Sequence, residues 1–246
     1  MFWFDTPLYH TLYQHRNDTE AKIFIENLLQ YLQPKANSRI VDVACGKGRH
    51  VKILGNICPD STVLGLDLAE QSIQYAKLQN NLNNCNYAVH DMRESLVNKF
   101  GKFDFVFNLF TSFGYFEDKA THAQVIQHWS EALLEKGVLL IDYMNVLQVV
   151  KHLVPQDTKE IDGYTFLSKR KVENGYIIKD IYPKGKDLAE DLHFQERVAT
   201  FTLSDFEALL ASAGLVITNT FGNYQLEAFD PNTSPRLILL ATKKEA

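Results

Sequence analysis

The segment Ile40-Val41-Asp42-Val43-Ala44-Cys45-Gly46-Lys47-Gly48-Arg49-His50 constrains the fold more than any other part of the chain. It is a short apolar strand that runs through an acidic residue into a turn cornered by two glycines. Glycines in such a turn let the backbone approach a ligand that any side chain would block. Arg49 to Leu54 can then open a helix, so the turn sits at the C-terminal edge of a strand, where open α/β sheets bind their ligands.

The flanking sequence supports that reading. Ala21, Phe24, Ile25, Leu28, Leu29 and Leu32 share one face of a helix over 18–32, with Asn17 and Glu20 as a capping box and Pro34 as its stop. Strands are expected at 39–44, 62–67, 85–90, 103–109 and 137–143, and helices at 48–55, 70–80 and 118–135, the last ended by Gly137. Strands that read as nearly continuous apolar runs belong to a parallel sheet covered on both faces. The rhythm breaks over 161–202. There Asn174-Gly175 separates Tyr164–Lys171 from Tyr176–Tyr182, a hairpin signal, and His193–Thr202 follows. An antiparallel insertion of about three strands is expected, with Pro183–Asp191 as its loop. Ser204-Asp205-Phe206-Glu207 reads as a capping box for a helix through Ala213, closed by Gly214. Two closing strands near 215–221 and 236–242 flank the long loop Gly222–Pro235. The expected organisation is one domain over 1–246, with an N-terminal helical cap at 1–36 and a β insertion at 155–202 that covers substrate or contacts a second copy in a homodimer.

Composition narrows the partners. Hydrophobic content of 46% and charged content of 22% are ordinary for a soluble globular protein. The net charge of -5 lacks the basic excess of a nucleic-acid surface, and the short cluster Lys169-Arg170-Lys171 reads as a solvated strand or turn. Cys45, Cys58 and Cys85 are too few and too irregular for a zinc site or a disulfide framework. No metal and a reducing, cytoplasmic setting are therefore the expectation. The first ten residues lack a signal-peptide pattern, and no run approaches the roughly 20 apolar residues of a membrane span.

A dinucleotide fingerprint needs a third Gly or Ala after G-x-G-x-x, and Val51 stands there instead. No phosphate-binding G-x-x-x-x-G-K-[ST] loop occurs. Val41 to Gly48 instead resembles motif I, D-x-x-x-G-x-G, of the class I S-adenosylmethionine-dependent methyltransferases. Asp67 ends the second strand about 20 residues on, suited to a ribose diol. His90-Asp91-Met92-Arg93 follows the third strand and Asn108-Leu109 the fourth, so the resemblance covers residues 40–145. It implies a Rossmann-like doubly wound sheet of about seven strands with the last strand antiparallel, and S-adenosyl-L-methionine as cofactor. It further implies Asp42 near the methionine amino group and backbone contacts from Ala44, Gly46 and Gly48. Asp67 and Leu68 would serve the ribose, Asp91 and Met92 the adenine, and Asn108 and Leu109 the amino-acid portion. Asp91-Met92-Arg93 together with the stretch Asn108 to Phe116 also looks like a branch of small bacterial methyltransferases acting on small molecules. Asn108 is similar to the first residue of the N-P-P-Y motif of amino-methylating DNA enzymes, but the two prolines are absent.

Methyl transfer from a sulfonium is an in-line displacement. Orientation alone supplies roughly 7–11 kcal/mol of such a barrier, and a base adds about 10²–10⁴-fold. The catalytic residue stays open, with Tyr115, Tyr143 and His152 as candidates, Asn145 beside them and His10 and His15 as further bases. Tyr13 and Arg16 are candidates for the methionine carboxylate, since arginine binds carboxylates bidentately. Phe110, Phe113 and Phe116 divide between pocket lining and core. Arg197 and Arg236 divide between an acidic acceptor and plain surface charge. The expected reaction transfers a methyl group to an N or O atom of a small-molecule acceptor, with no nucleic acid and no membrane as partner. A non-catalytic S-adenosylmethionine-binding protein or partner subunit is the alternative, and an NAD-linked oxidoreductase the third reading. The acceptor itself is left open.

Overall fold

The computed structural model describes residues 3–14 and 18–244. A 3-10 turn at Trp3–Asp5 precedes α1 (Pro7–Leu12) and α2 (Asp18–Leu32). The alternating body then follows: β1 (Arg39–Val43), α3 (Arg49–Ile57), β2 (Thr62–Asp67), α4 (Glu70–Gln79), β3 (Cys85–Val89), α5 (Leu96–Phe100), β4 (Phe103–Asn108), α6 (Lys119–Ala132) and β5 (Leu133–Met144). A short α7 (Val146–Lys151) leads into β6 (Gln156–Ile161), β7 (Tyr164–Glu173), β8 (Tyr176–Lys184) and β9 (Phe194–Ala199). The chain closes with α8 (Leu203–Ser212), β10 (Leu215–Phe221) and β11 (Arg236–Lys243).

The larger sheet has the order β10-β11-β5-β4-β1-β2-β3. β1 to β5 are mutually parallel, and β11 runs antiparallel to both β5 and β10, as the resemblance implied. Strand order reverses between β1 and β4, which opens a crevice at their C-terminal ends. The register there pairs Val43 with Leu66, Asp42 with Phe107 and Asn108 with Ile141, so the ends of four strands lie side by side.

Alternation along the strands divides the core. Val41, Leu139, Ile141 and Tyr143 pack with Trp129 of α6 and Phe206 of α8 on one face. Ile40, Phe107, Leu140 and Ile238 pack with Phe24 and Leu28 of α2 and Leu54 of α3 on the other. Val198, Ala199 and Phe201, at the end of the insertion, belong to the first cluster. A third cluster joins Trp3, Leu8 and Leu12 to Phe166, Ile181 and Phe194 of the smaller sheet.

Four features differ from expectation. α6 stops at Ala132 rather than 135, because Leu133 turns extended (φ -76°, ψ 140°) and pairs with Phe103. Gly137 sits inside β5, beside the register shift against β4, rather than capping a helix. The insertion has four strands in the order β6-β7-β8-β9, not three. β6 is a polar edge strand that hydrophobic patterning passes over. Its hairpin turn is nonetheless signalled, since Asp162-Gly163 adopts the paired left-handed conformation (φ 50° and 80°) that Asn174-Gly175 repeats (51° and 78°). The capping box of α8 is formed by Thr202 and Asp205, two residues before the expected Ser204 and Glu207. Asn17, expected to cap α2, lies outside the described residues.

Candidate active site

β1 ends at Val43 and the chain turns left-handed at Ala44 (φ 62°), Gly46 (55°) and Gly48 (78°). The Cys45 N–H donates to the Leu66 carbonyl at 2.9 Å and fastens the turn to β2. The two glycines serve different ends. A Cβ on Gly46 would meet nothing within 4 Å, so its backbone faces open space in which a ligand can lie. A Cβ on Gly48 would come within 2.6 Å of the Tyr87 ring, so this glycine lets α3 pack against β3.

Two carboxylates flank the turn. Asp67 accepts the Gly46 N–H at 2.7 Å on one oxygen and the Ala69 N–H at 2.8 Å on the other. A carboxylate offers about four acceptor sites, so about two remain for hydroxyls. Burial pushes the Asp67 pKa up, and the two amides partly offset it. Asp42 is 1% exposed, and neither of its oxygens has a hydrogen-bond partner. Burial first, then the charge of Asp67, hold its pKa well above the usual carboxylate range, with Arg49 opposing. A buried, unpartnered carboxylate is costly and is relieved by a cationic group. Asn108 donates from Nδ2 to the Val43 carbonyl at 2.9 Å, which leaves Oδ1 buried without a partner. An open glycine backbone, an orphaned carboxylate and an orphaned amide oxygen together suit the amino-acid portion of S-adenosylmethionine.

The remaining cofactor candidates divide. Asp91 is gripped by Arg93, through the backbone N–H at 2.9 Å, Nε at 3.0 Å and Nη2 at 2.5 Å, which lowers its pKa and leaves about one acceptor site for an adenine amino group. Met92 is half-buried against the core, while Leu68 is 45% exposed. The Leu109 side chain is buried in the core, so only its backbone is available at the strand end.

Tyr13 corrects one expectation. Its hydroxyl faces the smaller sheet, donating to Glu196 at 2.8 Å and accepting from Lys179 Nζ at 2.7 Å. Burial, and then Glu196, push its pKa up, so it stays protonated. Trp3 Nε1 donates to the same carboxylate at 2.8 Å. Glu196 and Lys179 are opposite each other in the β8–β9 register, and burial lowers the Lys179 pKa. The rings of Phe4, Tyr9 and Tyr13 follow one another, Phe4 to Tyr9 at 5.3 Å and Tyr9 to Tyr13 at 4.9 Å, and Phe4 also meets Tyr115 at 5.2 Å. At its other side the segment reaches α4, where the Gln71 N–H donates to Asp5 at 3.0 Å and His10 meets Ser72 Oγ at 3.4 Å. Residues 3–14 thus bridge the helix after Asp67 and the inner face of the smaller sheet. Arg16 and His15 lie outside the described residues.

Sequence reading missed Lys179 and Glu196, although a signal existed. Each is a charged residue on an otherwise apolar strand face, between Ile177 and Ile181 and between Phe194 and Val198. Other candidates move away from the mouth. Tyr143 is fully buried and donates its hydroxyl to the Ala199 carbonyl, which ties β5 to the insertion. His152 is exposed at the end of α7 and bonds the Gln148 carbonyl one turn back at 3.0 Å. Asn145 caps α7 and holds the Pro231 and Ser234 carbonyls. Phe113 is core, Phe116 packs against it, and Phe110 stands partly exposed between Arg49 and Arg236. Arg197 lies over the Tyr176 ring, and Arg236 is committed to Asp142. Among the described residues no three His, Cys, Asp or Glu side chains form a metal cluster.

Comparison with known proteins agrees with this geometry. Residues 40–137 match a family model described as a methyltransferase domain. Malonyl-[acyl-carrier protein] O-methyltransferase of Acetivibrio thermocellus is 34% identical over 106 residues, 41% of this chain and 36% of that protein. The chain matches only about a third of the length of its curated relatives. Among solved structures, an S-adenosylmethionine-dependent methyltransferase from Clostridium acetobutylicum superposes with a TM-score of 0.79 over 97% of both chains at 17% identity. The sugar N-methyltransferase KedS8 from Streptoalloteichus has a TM-score of 0.72 at 21% identity, covering 96% of this chain and 93% of its own. The matched methyltransferase domain spans the glycine turn, Asp67 and Asp91, and over nearly the whole chain the fold is that of the solved S-adenosylmethionine-dependent methyltransferases.

Proposed function

We propose that this chain binds S-adenosyl-L-methionine and transfers its methyl group to an N or O atom of a small-molecule acceptor, nitrogen being favoured. The observation that carries the reading is the open Gly46 backbone flanked by the unpartnered oxygens of Asp42 and Asn108. When bound, the cofactor supplies a methyl group already activated on a sulfonium. The chain's own residues bind, align and exclude water. Asp67 holds the ribose hydroxyls, Asp42 balances the amino group, and Asp91, oriented by Arg93, takes the adenine amino group. Above the strand ends, residues 3–14 and the insertion at 155–202 act as the acceptor's cover. Phe4, Tyr9 and Tyr115 supply apolar walls. Tyr13, fixed between Glu196 and Lys179, continues that row of rings. Likeness to the fold of a sugar N-methyltransferase supports nitrogen as the acceptor atom. Tyr115 is the remaining catalytic candidate at the mouth. Alignment rather than a strong base carries most of the rate.

No helix among the described residues is long and apolar enough to cross a membrane, and the three free cysteines suit the proposed reducing cytoplasm. The competing role of the smaller sheet is a homodimer contact through the edge of β6, which the mass in solution distinguishes. The test of function is transfer of labelled methyl from S-adenosylmethionine to panels of amino sugars, other amines, alcohols and phenols. Label is expected in the amines. Binding of S-adenosylhomocysteine with no transfer to any panel would favour the non-catalytic alternative.

A further inference from the structure

We infer that Arg236 and Asp142 form a positioning clamp that sets the turn Phe110–Ser112 beneath the amino-acid end of the bound cofactor, an inference that rests on the cofactor reading above. The turn is unusual in its backbone. Phe110 (φ 60°) and Thr111 (φ 58°) are successive non-glycine residues in the left-handed region. Side chains disfavour that region, and it persists where the surroundings over-determine it.

Here the surroundings converge on one carboxylate. Asp142, 1% exposed, accepts the Phe110 N–H at 2.8 Å and the Tyr224 hydroxyl at 3.1 Å on one oxygen. Its other oxygen takes Nε and Nη2 of Arg236 at 2.8 and 2.6 Å. The Thr111 N–H donates to the Asp142 backbone carbonyl at 2.8 Å, and Arg236 Nη2 reaches Thr111 Oγ1 at 3.0 Å. Side chain and main chain of the turn are thus both held by the same pair. Ser112 Oγ closes it onto the Leu109 carbonyl at 2.8 Å.

Joining β5 to β11 does not require this pair, because the two strands are already in register from Arg236↔Met144 to Thr242↔Val138. A buried ion pair is in any case weak evidence for stability. What the pair adds is a fixed turn beside the cofactor cradle. Arg49, the first residue of α3 after Gly48, stands 5.4 Å from the Phe110 ring centre, with Arg236 5.9 Å away. Asn108, immediately before the turn, is bonded to the last carbonyl of β1. The planar fork that reaches both Asp142 and Thr111 is a property of arginine that lysine lacks.

The test compares two probes by calorimetry: S-adenosylhomocysteine, and 5′-methylthioadenosine, which lacks the amino-acid portion. Arg236→Lys and Asp142→Asn should weaken S-adenosylhomocysteine binding at least tenfold and change 5′-methylthioadenosine binding less than twofold. Thr111→Val, which removes only the hydroxyl contact and leaves the buried charges in place, should give a smaller loss of the same selectivity and serves if the charge variants do not fold. A merely structural clamp would lower the melting temperature and leave the ratio of the two affinities unmoved, and that result in folded variants overturns the inference while sparing the cofactor reading. Failure of the unaltered protein to bind either probe overturns the cofactor reading and the clamp with it.

Discussion

At the residue scale, Asp42 is a buried acid with neither oxygen partnered in the ligand-free protein. Its folded pKa is raised above the unfolded value of about 3.9. Between those two values the folded, ligand-free protein binds more protons than the unfolded chain, so stability falls as pH rises through that window. One proton limits the slope to about 1.4 kcal/mol per pH unit. Urea unfolding at a series of pH values above 4 should show the decline, and Asp42→Asn should flatten it while weakening S-adenosylhomocysteine binding. An unchanged slope in the variant would place the titrating group elsewhere. Asp67→Ala should weaken S-adenosylhomocysteine binding by about 1–3 kcal/mol, the scale of a lost charged hydrogen bond. Calorimetry on the folded variant checks it, and unaltered affinity would remove Asp67 from the ribose site. Both acids were legible because they sit at fixed distances from strand ends. Asp142 was not, because a single acid at the end of the apolar run Leu139 to Ile141 carries no mark of the partner that reaches it from β11.

At the element scale, the insertion shows where local pattern runs out. Asn174-Gly175 announced the β7–β8 hairpin, since turn type depends on two adjacent residues. β6 escaped because a polar edge strand has no apolar face to read. Tyr143 was placed at the mouth by its position near the end of β5, yet the alternation that puts Ile141 in the core puts Tyr143 there too. Tyr143→Phe should therefore destabilise the protein by about 1–3 kcal/mol, the scale of leaving the buried Ala199 carbonyl without its donor. Denaturant unfolding measures that loss. S-adenosylhomocysteine affinity should not change. A fall in methyl transfer out of proportion to the folded fraction would return Tyr143 to the acceptor site.

At the scale of the whole molecule, Val198, Ala199 and Phe201 bind the insertion into the main core, so it is a built-in wall of the domain rather than an appendage. The N-terminal segment completes that wall, with Trp3 stacked on Phe194 at 4.4 Å and Tyr13 bonded to a carboxylate 183 positions away. Strand and helix alternation, the glycine turn and the spacing of Asp42, Asp67, Asp91 and Asn108 could all be read in advance. Each depends on residues close in the chain and on periods of 2.0 and 3.6 that the backbone imposes. The Lys179–Glu196–Tyr13 junction and the Arg236–Asp142 clamp on Phe110 and Thr111 required the fold itself. They join segments brought together only when the chain closes on itself, and the partner a buried charge meets is chosen by that packing rather than by its neighbours in sequence.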